Sequence, residues 1–150
     1  MIRAATEADA PALASIQARS WRWAYGHFIA FEEMPIAAES EPGLREMAAS
    51  GAVRVFEQDA TVVGYAAVDG DELRSLYVEP AAQGAGVGTR LLADAEDRIR
   101  AAGHARAWLY VYADNARGRA FYERHGWRRV GDLVGAGRWR APGYRYEREL

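Results

Sequence analysis

Two periods of hydrophobic residues divide the chain. Leu13, Ile16, Ser20 and Trp23 recur at helical spacing and predict a first helix, opened by the capping pair Thr6 and Asp9 near Pro11. A break at Pro35 leads to a second, shorter helix over Glu41 to Ala49, closed by Gly51. The period then becomes two. Val53 to Gln58 and Thr61 to Val68 read as antiparallel strands turning at Asp59-Ala60, and Asp69-Gly70 joins them to a central strand, Asp71 to Glu79. Val87, Leu91, Ala95 and Ile99 mark the apolar stripe of a third helix that stops at Gly103. Ala105 to Tyr112 is the next strand, and Asp114-Asn115 opens a helix ending at Gly126. Trp127 to Leu133 and Tyr144 to Leu150 finish the chain as strands. With Ile2 to Ala5 as the first strand, the order is β-α-α-β-β-β-α-β-α-β-β.

Between the central strand and the third helix lies Gln83 to Thr89, QGAGVGT. The first N–H groups of a helix have no intrahelical partner, and the dipole adds partial positive charge there. A strand feeding a Gly-rich turn that opens a helix therefore suits an anion, usually a phosphate, which needs backbone free of Cβ atoms. The alternative is a tight connection that needs glycine for its geometry alone. The P-loop is excluded because Gly88 is followed by Thr89 and the chain has no lysine. The dinucleotide fingerprint is excluded because Thr89 stands where it needs Gly or Ala.

Composition narrows the classes further. The 150 residues fit one domain, residues 1–150, and half of them are apolar. A net charge of −2 gives no global attraction to nucleic acid or an anionic membrane. No apolar run reaches the roughly 20 residues needed to span a bilayer. The opening MIRAATEADA lacks a signal-peptide pattern, so a cytoplasmic location is expected. There is no cysteine, hence neither a disulfide framework nor a Cys nucleophile. The spacings of His27, His104 and His125 match no metal-ligand pattern.

The segment Gln83-x-x-Gly86-x-Gly88, placed after LYVEP and before a helix, resembles the acyl-CoA-binding motif of the GCN5-related N-acetyltransferases (GNAT superfamily). The likeness extends along the chain: AGHARAWLYVYADNARGRAFYERHGW is similar to the family's second cofactor segment and following helix. The resemblance implies an α/β fold with a mixed, twisted and splayed sheet and helices on both faces. It implies acetyl-CoA as cofactor and direct attack of an amine on the thioester. Gln83, Gly84, Ala85, Gly86, Val87, Gly88 and Thr89 would cradle the pyrophosphate. Leu76, Tyr77 and Val78 would offer main chain to the pantetheine arm, with an N–H near Tyr77 polarising the thioester carbonyl.

Asn115 and Tyr122, two helical turns apart, share a helix face. By resemblance Asn115 bonds the cofactor and Tyr122 protonates the leaving thiolate; otherwise Asn115 is an N-cap and Tyr122 a half-buried aromatic beside Phe121. Glu72 is the candidate general base, on the same strand face as Arg74, Leu76 and Val78 by alternation. Its alternative is a solvated strand end, with Asp71 or a water chain as base. By resemblance the acceptor pocket draws on Trp21, Tyr25, Phe28, Glu32 and Glu33, facing Arg138 and Trp139. The aromatics suit a partly apolar acceptor, and the glutamates a cationic amine. Trp21 and Trp23 are equally core or dimer contacts, and Glu32-Glu33 a solvated turn. A small-molecule amine is the expected acceptor, and a homodimer the default assembly. A peptide or protein N-terminal acetyltransferase and a non-catalytic acyl-CoA-binding module remain as rivals.

Overall fold

The computed structural model describes residues 1–27, 29, 30, 32, 34, 36–133 and 141–150. Along them run β1 (Ile2–Ala4), α1 (Ala10–Tyr25), α2 (Ala37–Ala49), β2 (Val53–Gln58), β3 (Thr61–Asp69) and β4 (Glu72–Val78). Then follow α3 (Val87–Ala101), β5 (Arg106–Tyr112), α4 (Ala116–Arg124), β6 (Arg128–Leu133) and β7 (Gly143–Glu149). This is the order that the hydrophobic pattern predicts.

The strands form one seven-stranded sheet, ordered β1-β2-β3-β4-β5-β7-β6. Every neighbouring pair is antiparallel except β4 and β5. A parallel pair needs a long crossover, and α3 supplies it. On the α3 side the stripe Val87, Leu91, Ala95 and Ile99 is buried against Leu73, Val78, Leu109, Val111 and Tyr146. On the other side Leu13 and Ile16 of α1 and Leu44 of α2 cover Val53, Val55 and Tyr65. Period-two alternation thus feeds both layers. The β2–β3 turn carries Asp59 and Ala60 at φ 51° and 60°, which suits a tight hairpin.

Three local expectations change. The second helix begins at Ala37, not Glu41, and carries Pro42 inside it. Pro42 removes one helical hydrogen bond, that to the carbonyl of Ala38, and Ala38 is exposed so that water can replace it. Trp23 leaves the buried stripe: it is 43% exposed, and the guanidinium of Arg117 on α4 lies over its ring at 4.0 Å.

The third change lies in β4. Ala67 pairs with Ser75, but Val68 pairs with Leu73, so Arg74 is an extra residue in a β-bulge. The bulge resets the alternation. Leu73 joins Leu76 and Val78 in the α3-side core, and Glu72 is turned to the opposite face. Simple counting had placed Glu72 with Leu76 and Val78.

Candidate active site

The turn before α3 has the conformation that its glycines predict. Gly84 and Gly86 lie at φ +83° and +81°, a left-handed region costly for residues with a Cβ. Gly86 is the N-cap of α3 and supplies no capping side chain. The first helical bond runs from Arg90 N to Gly86 O at 3.1 Å, so the N–H groups of Val87, Gly88 and Thr89 lack intrahelical acceptors. They and the helix dipole make a site for an anion. A Cβ at Gly88 would lie 3.5 Å from Phe121, so α3 and α4 approach closely there.

The polar side chains of this turn are already engaged. Gln83 Nε2 donates to the Val78 carbonyl at 3.2 Å, and Ser20 Oγ on α1 donates to the same oxygen at 3.2 Å. Thr89 Oγ1 lies 3.1 Å from His125 Nε2, and His125 Nδ1 lies 2.7 Å from the Phe121 carbonyl. A carbonyl can only accept, so Nδ1 carries a proton; in the neutral imidazole Nε2 then accepts from Thr89. His125 thus ties the end of α4 to the start of α3 and lines the same cleft. Sequence reasoning weighs His125 only against a metal-ligand pattern, which its spacing does not match. Its offset of four from Phe121 was the available signal.

Beside the turn the sheet opens. β4 and β5 share one register pair, Glu72 with Trp108, and then diverge. On its other edge β4 stays paired: Glu79 N bonds Val63 O, Tyr77 faces Tyr65 and Ser75 faces Ala67. In an antiparallel ladder alternate residues spend both backbone groups on one neighbour. Tyr77 therefore bonds β3, and the N–H and C=O of Leu76 and the N–H of Val78 face the gap. The sequence reading had put the useful N–H near Tyr77; the ladder phase moves it one residue either way.

The gap is a cleft of about 530 Å³, walled by α1, β4, the glycine turn, β5 and α4. Gln83, Gly84, Gly86, Val87, Gly88, Thr89, Asn115 and Tyr122 all line it, as do Leu76, Tyr77 and Val78. Ala85 is exposed in the same turn. Asn115 caps α4, its Oδ1 accepting from Gly118 N at 3.0 Å, while also standing in the cleft wall. The N-cap reading of that residue is thus met by its geometry. Tyr122 is half-buried, and burial followed by the charge of Tyr77 pushes its hydroxyl well above the usual phenol range. It holds its proton at neutral pH. Burial likewise pushes Tyr77 up to about 12, against hydrogen bonds from Trp21 and Tyr25 that favour the phenolate.

Glu72 does not line the cleft. It sits at the closed end of the splay, with Arg74 Nε 3.5 Å from its carboxylate. Burial raises its carboxyl above the ordinary value; Arg74 opposes that, and Asp69 and Asp71 add to it. Tyr25 is buried on the cleft wall, its ring edge-on to Tyr112 at 5.3 Å. Trp21 packs edge-on against Tyr77 at 6.2 Å. Glu32 is exposed and does not line the cleft. Phe28, Glu33, Arg138 and Trp139 lie outside the described residues. Arg74 and Arg117, which sequence reasoning did not place in the site, both line the cleft. Among the described residues no group of three or more His, Asp or Glu could hold a metal ion. No helix among them is long and apolar enough to cross a membrane.

Comparison with known proteins gives a consistent picture. The model of the acetyltransferase (GNAT) family matches residues 11–127. The fold is similar to that of the PaiA N-acetyltransferase of Thermoplasma acidophilum in complex with coenzyme A. That likeness has a TM-score of 0.84 at 21% identity and covers 100% of this chain and 98% of that one. A ribosomal-protein-alanine N-acetyltransferase of Brucella melitensis is similar at TM-score 0.79 and 27% identity, over 100% and 99% of the two chains. A mycothiol acetyltransferase of Beutenbergia cavernae is 49% identical over 55 residues, which are 37% of this chain and 18% of that protein.

Proposed function

The chain belongs to the acetyltransferase (GNAT) family; from that premise we propose that it is an acetyl-CoA-dependent acyltransferase and acetylates the primary amine of a small molecule by direct attack. The observation that carries the reading is the pairing of two features. The sheet opens after Glu72–Trp108, beside a helix N-terminus whose first N–H groups have no acceptor. The residues present fit the cofactor. The Gly84–Thr89 turn suits its phosphates, and the free N–H and C=O of β4 suit the amides of an extended arm, as an added strand would.

Bound acetyl-CoA supplies an acetyl thioester. Leu76 and Val78 offer their N–H groups to a carbonyl oxygen laid along the strand, where a preorganised donor favours developing negative charge. Tyr122, kept protonated by burial, donates to the leaving sulfur. Glu72 stands outside the cleft wall, so it takes the amine's proton through water. Tyr25 flanks the acceptor side, with Trp21 packed against Tyr77 beside it; Phe28 and Trp139 are further candidates from the sequence, whereas Glu32 stands off the cleft. Residues 1–150 act as one domain in the cytoplasm, and a homodimer is its working assembly, to be checked by light scattering.

The test is thiol release from acetyl-CoA across small amines and peptides with an N-terminal alanine, using wild type and Tyr122→Phe. Release with a small amine, lost in the variant at unchanged acetyl-CoA binding, supports the reading. The full-length likeness to a ribosomal-protein-alanine N-acetyltransferase favours a second reading, and faster release with the peptides would establish it. Tight binding with no release from any acceptor would leave an acyl-CoA-binding module.

A further inference from the structure

The wall of the cleft is chemically uneven. Toward α3 it is the glycine turn with Gln83, Val87, Thr89 and His125; elsewhere it carries Tyr25 of α1, Tyr77 of β4, Tyr110 of β5 and Tyr122 of α4. These rings are interlocked with their neighbours. Tyr112 meets Tyr25 at 5.3 Å and Tyr110 at 5.1 Å, both edge-on, and Trp21 meets Tyr77 edge-on at 6.2 Å. Ile29 and Met34 close the cluster from beyond α1. Among the described lining residues the Asp, Glu and Arg side chains are all Arg: Arg74, Arg117 and Arg124. Arg74 projects from the β4 bulge, and its partners Asp69 and Glu72, each 3.5 Å away, lie off the wall.

We propose that the accepting nitrogen is a weakly basic α-amine carried beside an aromatic ring, as in an aromatic amino-acid amide, rather than a polyamine or a lysine side chain. This rests on the acetyl-transfer reading above. The nitrogen forms the new bond to the acetyl carbon as the carbon–sulfur bond breaks; nitrogen passes one proton through water to Glu72, sulfur receives one from Tyr122, and solvent returns a proton to Tyr122 and takes one from Glu72. Only the neutral amine has the lone pair for this. An amine of lysine basicity is neutral in roughly one molecule in two thousand at pH 7, and the α-amine of an amino-acid amide in roughly one in ten. Arg117 and Arg124 on α4 disfavour a positive charge beside them and so widen that gap, whereas the charge of Arg74 is offset by Asp69 and Glu72. A polycation would gain contact with a ring face but would bring its remaining charges toward Arg117 and Arg124. An aromatic ring, by contrast, finds tyrosine edges and faces already fixed.

The experiment compares thiol release at pH 7 with four acceptors: L-phenylalaninamide, L-alaninamide, 2-phenylethylamine and spermidine. Phenylalaninamide is expected to exceed alaninamide about fivefold in kcat/KM through its ring. It should exceed 2-phenylethylamine on the order of a hundredfold through its weaker basicity, with spermidine slowest. Arg74→Glu, on an exposed bulge, should narrow the spermidine deficit severalfold; should that variant fail to fold, the wild-type ranking decides alone. If spermidine or 2-phenylethylamine equals phenylalaninamide, or if only amines outside this panel react, the inference falls and acetyl transfer stands. If acetyl-CoA binds and no amine or peptide releases thiol, both fall.

Discussion

At the scale of single residues, two ionisable groups set the expected pH behaviour. Tyr122 is held neutral by burial, so its loss should act on the chemical step. Tyr122→Phe is expected to lower kcat about a hundredfold, the low end for a general acid, with acetyl-CoA affinity unchanged by calorimetry. No fall in wild-type kcat from its ionisation should appear up to pH 10. Glu72 is raised by burial, and the sign follows from its charge. As a base it works only when ionised, so kcat/KM should climb with pH through a midpoint above the ordinary carboxylate range. Glu72→Gln should abolish that limb; a limb that persists assigns the proton to water or Asp71. Its effect on stability runs the opposite way. A folded carboxyl that binds its proton more tightly than the unfolded one loses stability as pH rises between the two values. The same Gln variant should therefore melt slightly higher than wild type at pH 7.

At the scale of elements, the glycines make separable predictions. Gly86 is left-handed with nothing within 4 Å of an added Cβ, so Gly86→Ala meets strain without a clash. A cost of about 1 kcal/mol should lower Tm by about 3 °C and weaken acetyl-CoA binding, because the α3 N-terminus shifts. Gly118→Ala differs: its Cβ would come within 2.5 Å of Asn115 Nδ2, displacing the cap of α4. A similar loss in Tm is expected, with a raised KM for acetyl-CoA because Asn115 lines the cleft. Much of this level was legible beforehand. The α3 stripe, the Asp59-Ala60 turn and the Asn115 helix start each follow from local spacing or backbone chemistry. The bulge at Arg74 was not, since a pairing slip belongs to two strands at once and one strand's alternation carries no trace of it. For the same reason Glu72 was assigned to the wrong face. Likewise, Trp23 matched the helical period but lies beyond the layer that α1 covers, a fact set by where β4 and β5 part. The capture of Gln83 by the Val78 carbonyl also depends on a contact that neither residue's neighbours announce.

At the scale of the whole molecule, the seven-stranded sheet is continuous in order yet open in its middle. Its two halves are joined at Glu72–Trp108 and through the crossover by α3. Amide exchange should report this directly. The N–H groups of Leu76 and Val78 are expected to exchange orders of magnitude faster than that of Tyr77 in the free protein, and to become protected when acetyl-CoA binds. Equal protection of all three without ligand would mean that the gap closes in solution. The opening also has a cost to the free chain. A row of unspent N–H and C=O groups is a template for any extended segment, and sheets ordinarily keep such rows at covered or charged rims. Here one runs through the centre, flanked by apolar Leu76 and Val78. Without its ligand the protein is thus exposed to strand capture by another copy. Scattering on mild heating should rise sooner for the free protein than for the acetyl-CoA complex, even when the two are matched in fraction unfolded. The cofactor would then serve as a stopper against aggregation as well as a reagent.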